Sequence, residues 1–329
     1  MQKDVGNMSL YFCGGAGINI GKLFLDIGDG QQSKGFANMH LTYIDTSRSN
    51  ISDDIKDEQV YLINGLDGSG KIRAENHKQI SECVHDILMN HPPQDVSIIV
   101  SSNSGGSGNI ISAALLKELL SRDKNVLVVG VSSSDSRIEI ENSVKTMKSY
   151  EAISKMCEKP VVMMHYENTA DSIRQTINSD IKEEVVQLAA LFSRQNKELD
   201  SADLRNWLNY TRITELEPKL VFMGITHGKV EGMKSNIVSV ATLAHEGHNT
   251  NLGTTVEYQC VGYIPSENET TIKLESAVHY MLLDGMIGDI YLKLSDNLAK
   301  MEESNLARKR TTVSLIGNND KIDKSGLVF

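Results

Sequence analysis

The sequence is poor in features that would set it apart from ordinary globular proteins. It has 5 prolines in 329 residues, too few for long proline-rich linkers. Its four cysteines, Cys13, Cys83, Cys157 and Cys260, lie far apart and form no CxxC pair. They read as reduced thiols and exclude a disulfide framework. No apolar run approaches the roughly 18 residues of a membrane span, and the opening MQKDVGNMSLYF lacks the apolar stretch of a signal peptide. A cytoplasmic location without membrane contact is therefore expected. Positive charge is scarce as well. The net charge is −10 and Lys and Arg are not clustered, so a nucleic-acid backbone is not an expected partner. The short basic run ARKR, 307–310, reads as a solvated helix end. In HEGH, His245 and His248 stand three apart, which is not HExxH, and no third ligand is legible; solvated loop histidines are the preferred reading over zinc.

What is present is alternation. SLYFCGG reads as a strand entering glycines, with a helix from Ile18 to Asp26. MHLTYID, EQVYLIN, VSIIVSSNSGGSG, NVLVVGV and PVVMMHY read as further strands. Between them, 74–89, 110–120 and 143–156 have helical spacing. Strands alternating with helices predict a parallel sheet covered on both faces, with ligands beyond the carboxyl ends of the strands. Three glycine loops fall at that edge: 14–17, 65–70 and 105–108. Glycine permits close backbone approach, and helix N-termini supply donors for phosphate.

The second half differs. A long helix is predicted over 171–195, with Ile173, Ile177, Ile181, Val185, Leu188, Ala189 and Phe192 on one face. It is followed by NKELDSADLRNWL, the strands KLVFMGIT, NIVSVATLA and TVEYQCVGYI, and a helix from Glu275 to Arg308. The expected class is α/β: a parallel-sheet nucleotide-binding domain (1–168), a long central helix (169–198), a smaller α+β C-terminal domain (199–274), a long C-terminal helix (275–310) and a tail (311–329).

The loops allow three readings. A Rossmann-type NAD-binding oxidoreductase needs GxGxxG, and GGAGINIG lacks the third small residue at Ile20, although Gly21 follows and Asp45 is placed for a ribose. A P-loop NTPase is suggested by NGLDGSGKIR, where Gly65 and Gly70-Lys71 have Walker spacing; Ile72, however, stands where a hydroxyl is required. The third reading uses every loop at once. GGAGINIG resembles the first nucleotide loop of the tubulin/FtsZ superfamily, and SGGSGN (104–109) resembles its glycine-rich signature. GLDGSGKIR falls where the family carries a loop against the γ-phosphate, and LDSADLRNW (199–207) resembles its acidic loop after the central helix. TMKSYEAI, DLRNWLNYT, LGTTVEYQCVGY and DKSGLVF are similar to the bacteriophage tubulins of the TubZ/PhuZ branch. The resemblance extends over about the whole chain.

It implies a GTPase that binds GTP and GDP, with Mg²⁺, and polymerises head to tail into cytoskeletal filaments that position phage DNA or its compartment in the bacterial cytoplasm. The implied nucleotide residues are Gly14, Gly15, Ala16, Gly17, Asn19, Asp45, Thr46, Gly68, Ser69, Gly70, Ser104, Gly105, Gly106, Ser107, Gly108 and Asn178, with Asn19 and Asn178 toward guanine. Asp200 and Asp203 are implied to complete hydrolysis in the adjacent subunit; on sequence alone, DSAD reads as a helix cap. The protein itself is the expected partner, with possible lateral or tail-mediated contacts between protofilaments. Four positions depart from the family pattern: Ser104, Asn109, Ile110 and Glu198. Lys71 and Arg73 are left open, facing either the phosphate or a neighbouring subunit.

Overall fold

Strands buried on both faces read as continuous apolar runs, and the side chains of successive residues then serve opposite cores. In β1 (Asn7–Cys13), Met8, Leu10 and Phe12 point into one core, while Tyr11 and Cys13 point into the other. β4 (Val96–Ser102) divides in the same way, Val96, Ile98 and Val100 against Ile99. So does β5 (Asn125–Ser133), with Leu127, Val129 and Val131 against Val126 and Val128. A computed structural model describes residues 4–27, 35–73, 76–169, 172–230, 236–265 and 272–311. The predicted tail lies outside these residues beyond Thr311.

Helices cover each face. α1 (Gly14–Gly21), α5 (Arg174–Leu191) and α6 (Ser201–Leu208) pack on the first core. α2 (His77–Asn90), α3 (Ser107–Ser121), α4 (Arg137–Cys157) and α7 (Met286–Thr311) pack on the second. With β2 (Asn38–Asp45), β3 (Val60–Leu62), β6 (Val161–Asn168), β7 (Leu220–His227), β8 (Asn236–His245), β9 (Tyr258–Ile264) and β10 (Val278–Asp284), the described residues form a sheet of order β3-β2-β1-β4-β5-β6-β7-β10-β8-β9. The first six strands have the doubly wound order of nucleotide-binding α/β folds. β6 continues in parallel into β7 through Val161–Leu220, Val162–Val221 and Met163–Phe222, so the mixed C-terminal strands extend the same sheet. β10 runs antiparallel to both β7 and β8.

Several predicted elements change. The first helix begins at Gly14, four residues before Ile18, because the glycines themselves form its opening turn. The central helix begins at Arg174; Ile173 precedes it and is 63% exposed, not on the buried face. The predicted helix over 275–310 opens instead with strand β10, and its helical part starts only at Met286, after Gly285 breaks the chain with φ +95°. Val278, Met281 and Leu282 have helical spacing, but every residue from Val278 to Leu283 is buried, as a strand between two neighbours requires. Among the described residues no helix is long and apolar enough to cross a membrane.

Trp207 on α6 joins the C-terminal elements to the central helix. It is 0% exposed, with its ring 6.2 Å from Phe192 and 6.3 Å from Tyr280, whose hydroxyl donates to the Gln187 carbonyl of α5 at 2.8 Å. The Trp207 indole N–H has no hydrogen-bond partner among the described residues. Its worth is therefore packing. Trp207→Ala is expected to cost about 3–5 kcal/mol, and Trp207→Phe clearly less. Urea unfolding followed by circular dichroism checks this, since either change removes the only tryptophan.

Candidate nucleotide site

The carboxyl ends of β1, β2, β4, β5 and β6 open on one cavity of about 630 Å³. It lies where β1 and β4 run side by side and their chains leave for opposite faces, α1 to one core and α3 to the other. Such a switch point is where open α/β sheets place ligands.

Two helices start there in contact. A Cβ on Gly14 would stand 2.7 Å from Gly108 Cα, and one on Gly108 would stand 2.6 Å from the Cys13 carbonyl oxygen. Gly14 also has φ +70°, where side chains are strained. A Cβ on Gly106 would overlap the Ser69 hydroxyl, so the loop after β3 closes directly over the start of α3. Each helix N-terminus carries about half a positive charge and unspent N–H donors. Neither α1 nor α3 has an acidic residue in its first turn to offset it. Two such ends held together favour an anion between them.

A hydrogen-bonded scaffold stands behind the glycines. The Thr46 N–H donates to Asp45 Oδ1 at 2.7 Å, and the Thr46 hydroxyl donates to Ser107 Oγ at 2.9 Å. Ser107 itself lines the cavity. Asn50 donates to the other Asp45 oxygen at 3.0 Å. Burial nevertheless raises the Asp45 carboxyl above its ordinary value. Ser104 receives the Ser133 N–H at 2.7 Å and bonds Ser143 at 2.8 Å, while the Asn109 amide donates to the carbonyls of Asn103 and Gly105 at 3.1 and 2.7 Å. These two departures from the glycine-rich signature are thus members of the network that shapes the loop.

The cavity is lined by Gly14, Gly15, Ala16, Asn19, Asp45, Gly68, Ser69, Ser104, Gly105, Gly106, Ser107, Gly108 and Asn178, residues that the sequence had singled out. Gly17, Thr46 and Gly70 stand outside the lining. Gly17 packs on β4, where a Cβ would lie 2.5 Å from the Val100 carbonyl oxygen. Thr46 is hydrogen-bonded to Ser107, which lines the cavity. Gly70 supplies a turn with φ +51°. No helix begins at Ile72, where a P-loop would place one, since α2 starts only at His77. Arg73 is fixed on α4 by bonds to the Asn142 carbonyl (3.3 Å), Thr146 Oγ1 and Ser149 Oγ (3.2 Å), which takes it away from the cavity.

The sequence reading missed one feature of this site, a buried polar stripe on α4: Glu139, Asn142, Ser143 and Thr146. Their i, i+3, i+4, i+7 spacing is the helical signal normally given by apolar residues. The Asn142 amide lies 3.0 Å from the Lys71 carbonyl, 3.2 Å from that of Ser104 and 3.1 Å from that of Gly105. One side chain therefore ties both glycine loops to α4. Thr146 donates to the Asn103 carbonyl at 2.9 Å. Glu139 lines the cavity, receiving Lys71 Nζ at 2.8 Å and the Ser136 hydroxyl at 2.8 Å. Burial would raise its carboxyl, but these two donors, together with the charges of Lys71 and Arg174, outweigh burial and hold it below the usual range. The pair therefore persists as pH falls until that lowered value is crossed.

The residues fit a nucleotide: backbone donors and hydroxyls where only glycine can approach, and amides of Asn19 and Asn178 on the cavity wall. Among the described residues no group of three His, Cys, Asp or Glu is placed to hold a metal ion, so Mg²⁺ would depend on phosphate oxygens for much of its coordination.

Asp200 and Asp203 lie at the other pole. The 18-residue α5 starts at Arg174 in the cavity wall and spans about 27 Å. It ends beside the amino ends of the strands, where the Gly6 N–H donates to the Ser193 carbonyl at 3.0 Å. There Asp200 caps α6, accepting the N–H groups of Ala202 and Asp203 at 2.7 and 3.0 Å. Asp203 returns a bond to the Asp200 N–H at 3.0 Å and accepts the Tyr258 hydroxyl at 3.0 Å.

Asn142→Ala is expected to remove the side-chain donor from the Lys71 and Ser104 carbonyls and to cost about 1–3 kcal/mol. Asn142→Asp should cost more, because its anionic oxygens would face those carbonyls. Urea unfolding of the ligand-free protein measures both, and an aspartate variant as stable as wild type would refute the tie.

No protein-family model matches the chain. It is 26% identical over 335 residues to the phage tubulin-like protein of Pseudomonas phage phiKZ, covering 97% of each chain. It is 29% identical over 223 residues to that of Pseudomonas phage PhiPA3, covering 68% of this chain and 67% of the relative. Among solved structures, a TubZ protofilament from bacteriophage PhiKZ superposes with a TM-score of 0.85 at 26% identity, over 98% of this chain and 99% of that one. The phage tubulin PhuZ with GDP superposes at 0.87 and 22% identity with the same coverage, a likeness of fold. Fold, loop order and full-length similarity agree: the chain has the fold of the tubulin/FtsZ superfamily and is similar over its whole length to the phage tubulins.

Proposed function

We propose that this protein is a GTPase that polymerises head to tail, with GTP bound in the cavity at one pole and hydrolysis completed by Asp200 and Asp203 of the next subunit. The observation that carries this reading is the separation of the two chemical groups by the length of α5. The acids cannot reach the cavity of their own chain, whereas stacking pole on pole brings them to a neighbour's. Filament and GDP-bound structures of the phage tubulins support the same reading. A contact of this kind is heterologous and generates an open filament when its rotation does not close. Phosphoryl transfer is largely positioning and charge stabilisation, so a split site ties turnover to assembly. Mg²⁺ would supply charge neutralisation at the phosphates. Asn19 and Asn178 are assigned to guanine, and the filament to positioning phage DNA or its compartment in the host cytoplasm.

GTP, and not ATP, should raise light scattering, and phosphate release per subunit should climb above a threshold protein concentration. Turnover that is independent of concentration would refute the split site. Asp200→Asn separates the cap from the chemistry, because asparagine caps helices as well as aspartate does. It is expected to keep GTP binding and filaments while slowing phosphate release by roughly a hundredfold or more. Normal turnover by this variant would remove Asp200 from the mechanism.

A further inference from the structure

The second core is interrupted at the root of α7. Ile287, Ile290 and Tyr291 pack against its main cluster. A separate small cluster holds Val240, Met281 and Leu283, with Phe222 and Met286 against it. A second cavity of about 510 Å³ opens at this break, and it shares no lining residue with the nucleotide cavity. Strand pairing accounts for it. β6 and β7 are in register only from Val161–Leu220 to Met163–Phe222. Beyond that point both strands continue, β6 paired with β5 as far as Asn168 and β7 paired with β10 as far as His227. The sheet therefore splits along this line. Met164 and Met223 belong to the first core and Met281 to the small cluster, yet all three line the cavity, so it reaches both faces of the sheet.

The wall is selective in charge. Met164, Met223, Met281 and Met286 make it soft and polarisable, and Phe222 and Tyr166 add aromatic rings, which attract cations. It carries two carboxylates, Glu184 of α5 and Asp289 of α7, and among the described residues no lysine or arginine. Glu184 accepts the Tyr166 hydroxyl at 2.6 Å and has no cationic partner among the described residues. Burial raises its carboxyl, and the neighbouring Asp180 and Glu183 raise it further. Lys293 of α7 is taken by Glu167 at 2.6 Å. His165 is 3.0 Å from the Ser132 hydroxyl, and burial lowers its pKa to about 4, so it brings no positive charge at neutral pH. The cavity is thus an apolar space of ligand size with a carboxylate that lacks a counter-ion.

We propose that this cavity binds a small apolar organic cation, an alkyl- or arylalkylammonium, with its ammonium on Glu184 and its apolar body among the methionines. Asp289, exposed on the cavity wall, adds attraction for the same charge. A ligand seated there touches the nucleotide-binding strands through β6 and the C-terminal strands through β7 and β10, and so bridges the line along which the sheet parts. A charge-assisted hydrogen bond in an apolar site implies a preference of about tenfold or more over a neutral molecule of the same shape.

The test is NMR of the full chain carrying methyl-labelled methionine, titrated without GTP. The probes are phenethylamine, a cation at neutral pH, and its neutral and anionic counterparts, phenethyl alcohol and phenylacetate. The amine should shift the methyls of Met164, Met223, Met281 and Met286, assigned through single Met→Leu variants, and should leave the remaining methionines in place. It should bind about tenfold or more tightly than the alcohol, with phenylacetate weakest. Glu184→Gln should bring the amine down to the affinity of the alcohol while leaving the alcohol unchanged, a response that a purely apolar void would not give. Equal binding of amine and alcohol by the wild type, shifts confined to other methionines, or an amine preference that survives Glu184→Gln would overturn the assignment. Should Glu184→Gln fail to fold, the amine-to-alcohol ratio and the shifted methyls of the wild type decide it.

Discussion

The contact of Gly14 with Gly108 is the constraint on which the rest of the site depends. β1 and β4 are hydrogen-bonded neighbours in register from Met8–Val96 to Cys13–Ser101, so the helices that follow them must begin within a few ångströms of each other. A side chain at either glycine would force them apart, since the nearest atoms are backbone and cannot rotate away. With glycine at both positions, two like-signed dipole ends are held together, an arrangement that is electrostatically unfavourable until an anion lies between them. The stability of the sheet imposes that arrangement. Packed apolar side chains on both faces oppose the local repulsion, and the site is the place where it is left uncompensated.

A second layer of order follows from this. Loops rich in glycine have high conformational freedom and need external bonds to stay in one shape. The polar stripe of α4 provides them, with Asn142 bridging three carbonyls and Thr146 and Ser143 holding the loop after β4. Burying polar groups is costly unless they are satisfied, and here each stripe residue has partners among the loops it positions. Ser104, one departure from the glycine signature, is such a partner, and Asn109, another, holds the same loop through the Asn103 and Gly105 carbonyls. The chain has exchanged some glycine freedom for hydrogen bonds.

This also explains what was legible in the sequence. Short apolar runs ending in glycines located the strands and the cavity edge, because glycine at a strand end has few other uses. The segment after Glu275 misled for a physical reason: Val278, Met281 and Leu282 repeat at helical intervals, and only the sheet neighbours β7 and β8 decide that they form a strand. The α4 stripe was invisible because polar residues on a helix ordinarily face water, and nothing local marks Glu139, Asn142, Ser143 and Thr146 as buried. DSAD was legible as a cap from its own chemistry, and the structure has that cap. Its placement at the far pole needed the length and direction of α5, a property of tertiary packing.

α5 is the element that turns these local facts into a geometry of assembly. Its buried face, Ile177, Ile181, Val185 and Leu188, is fixed on the sheet, and its ends are fixed by different structures: the cavity at Arg174 and Asn178, the strand starts near Ser193. A helix packed along its length does not stretch, so the distance from cavity to acid pair is set within the subunit. On the proposed reading, a neighbour completes the site only when it stacks along that axis in one register. The capping box then has two consequences. It stiffens the start of α6, and it holds Asp200 on the exposed end surface where the next subunit's cavity would meet it. Precision in such a contact comes from rigid elements on both sides, and here they are a capped helix on one pole and hydrogen-bonded glycine loops on the other.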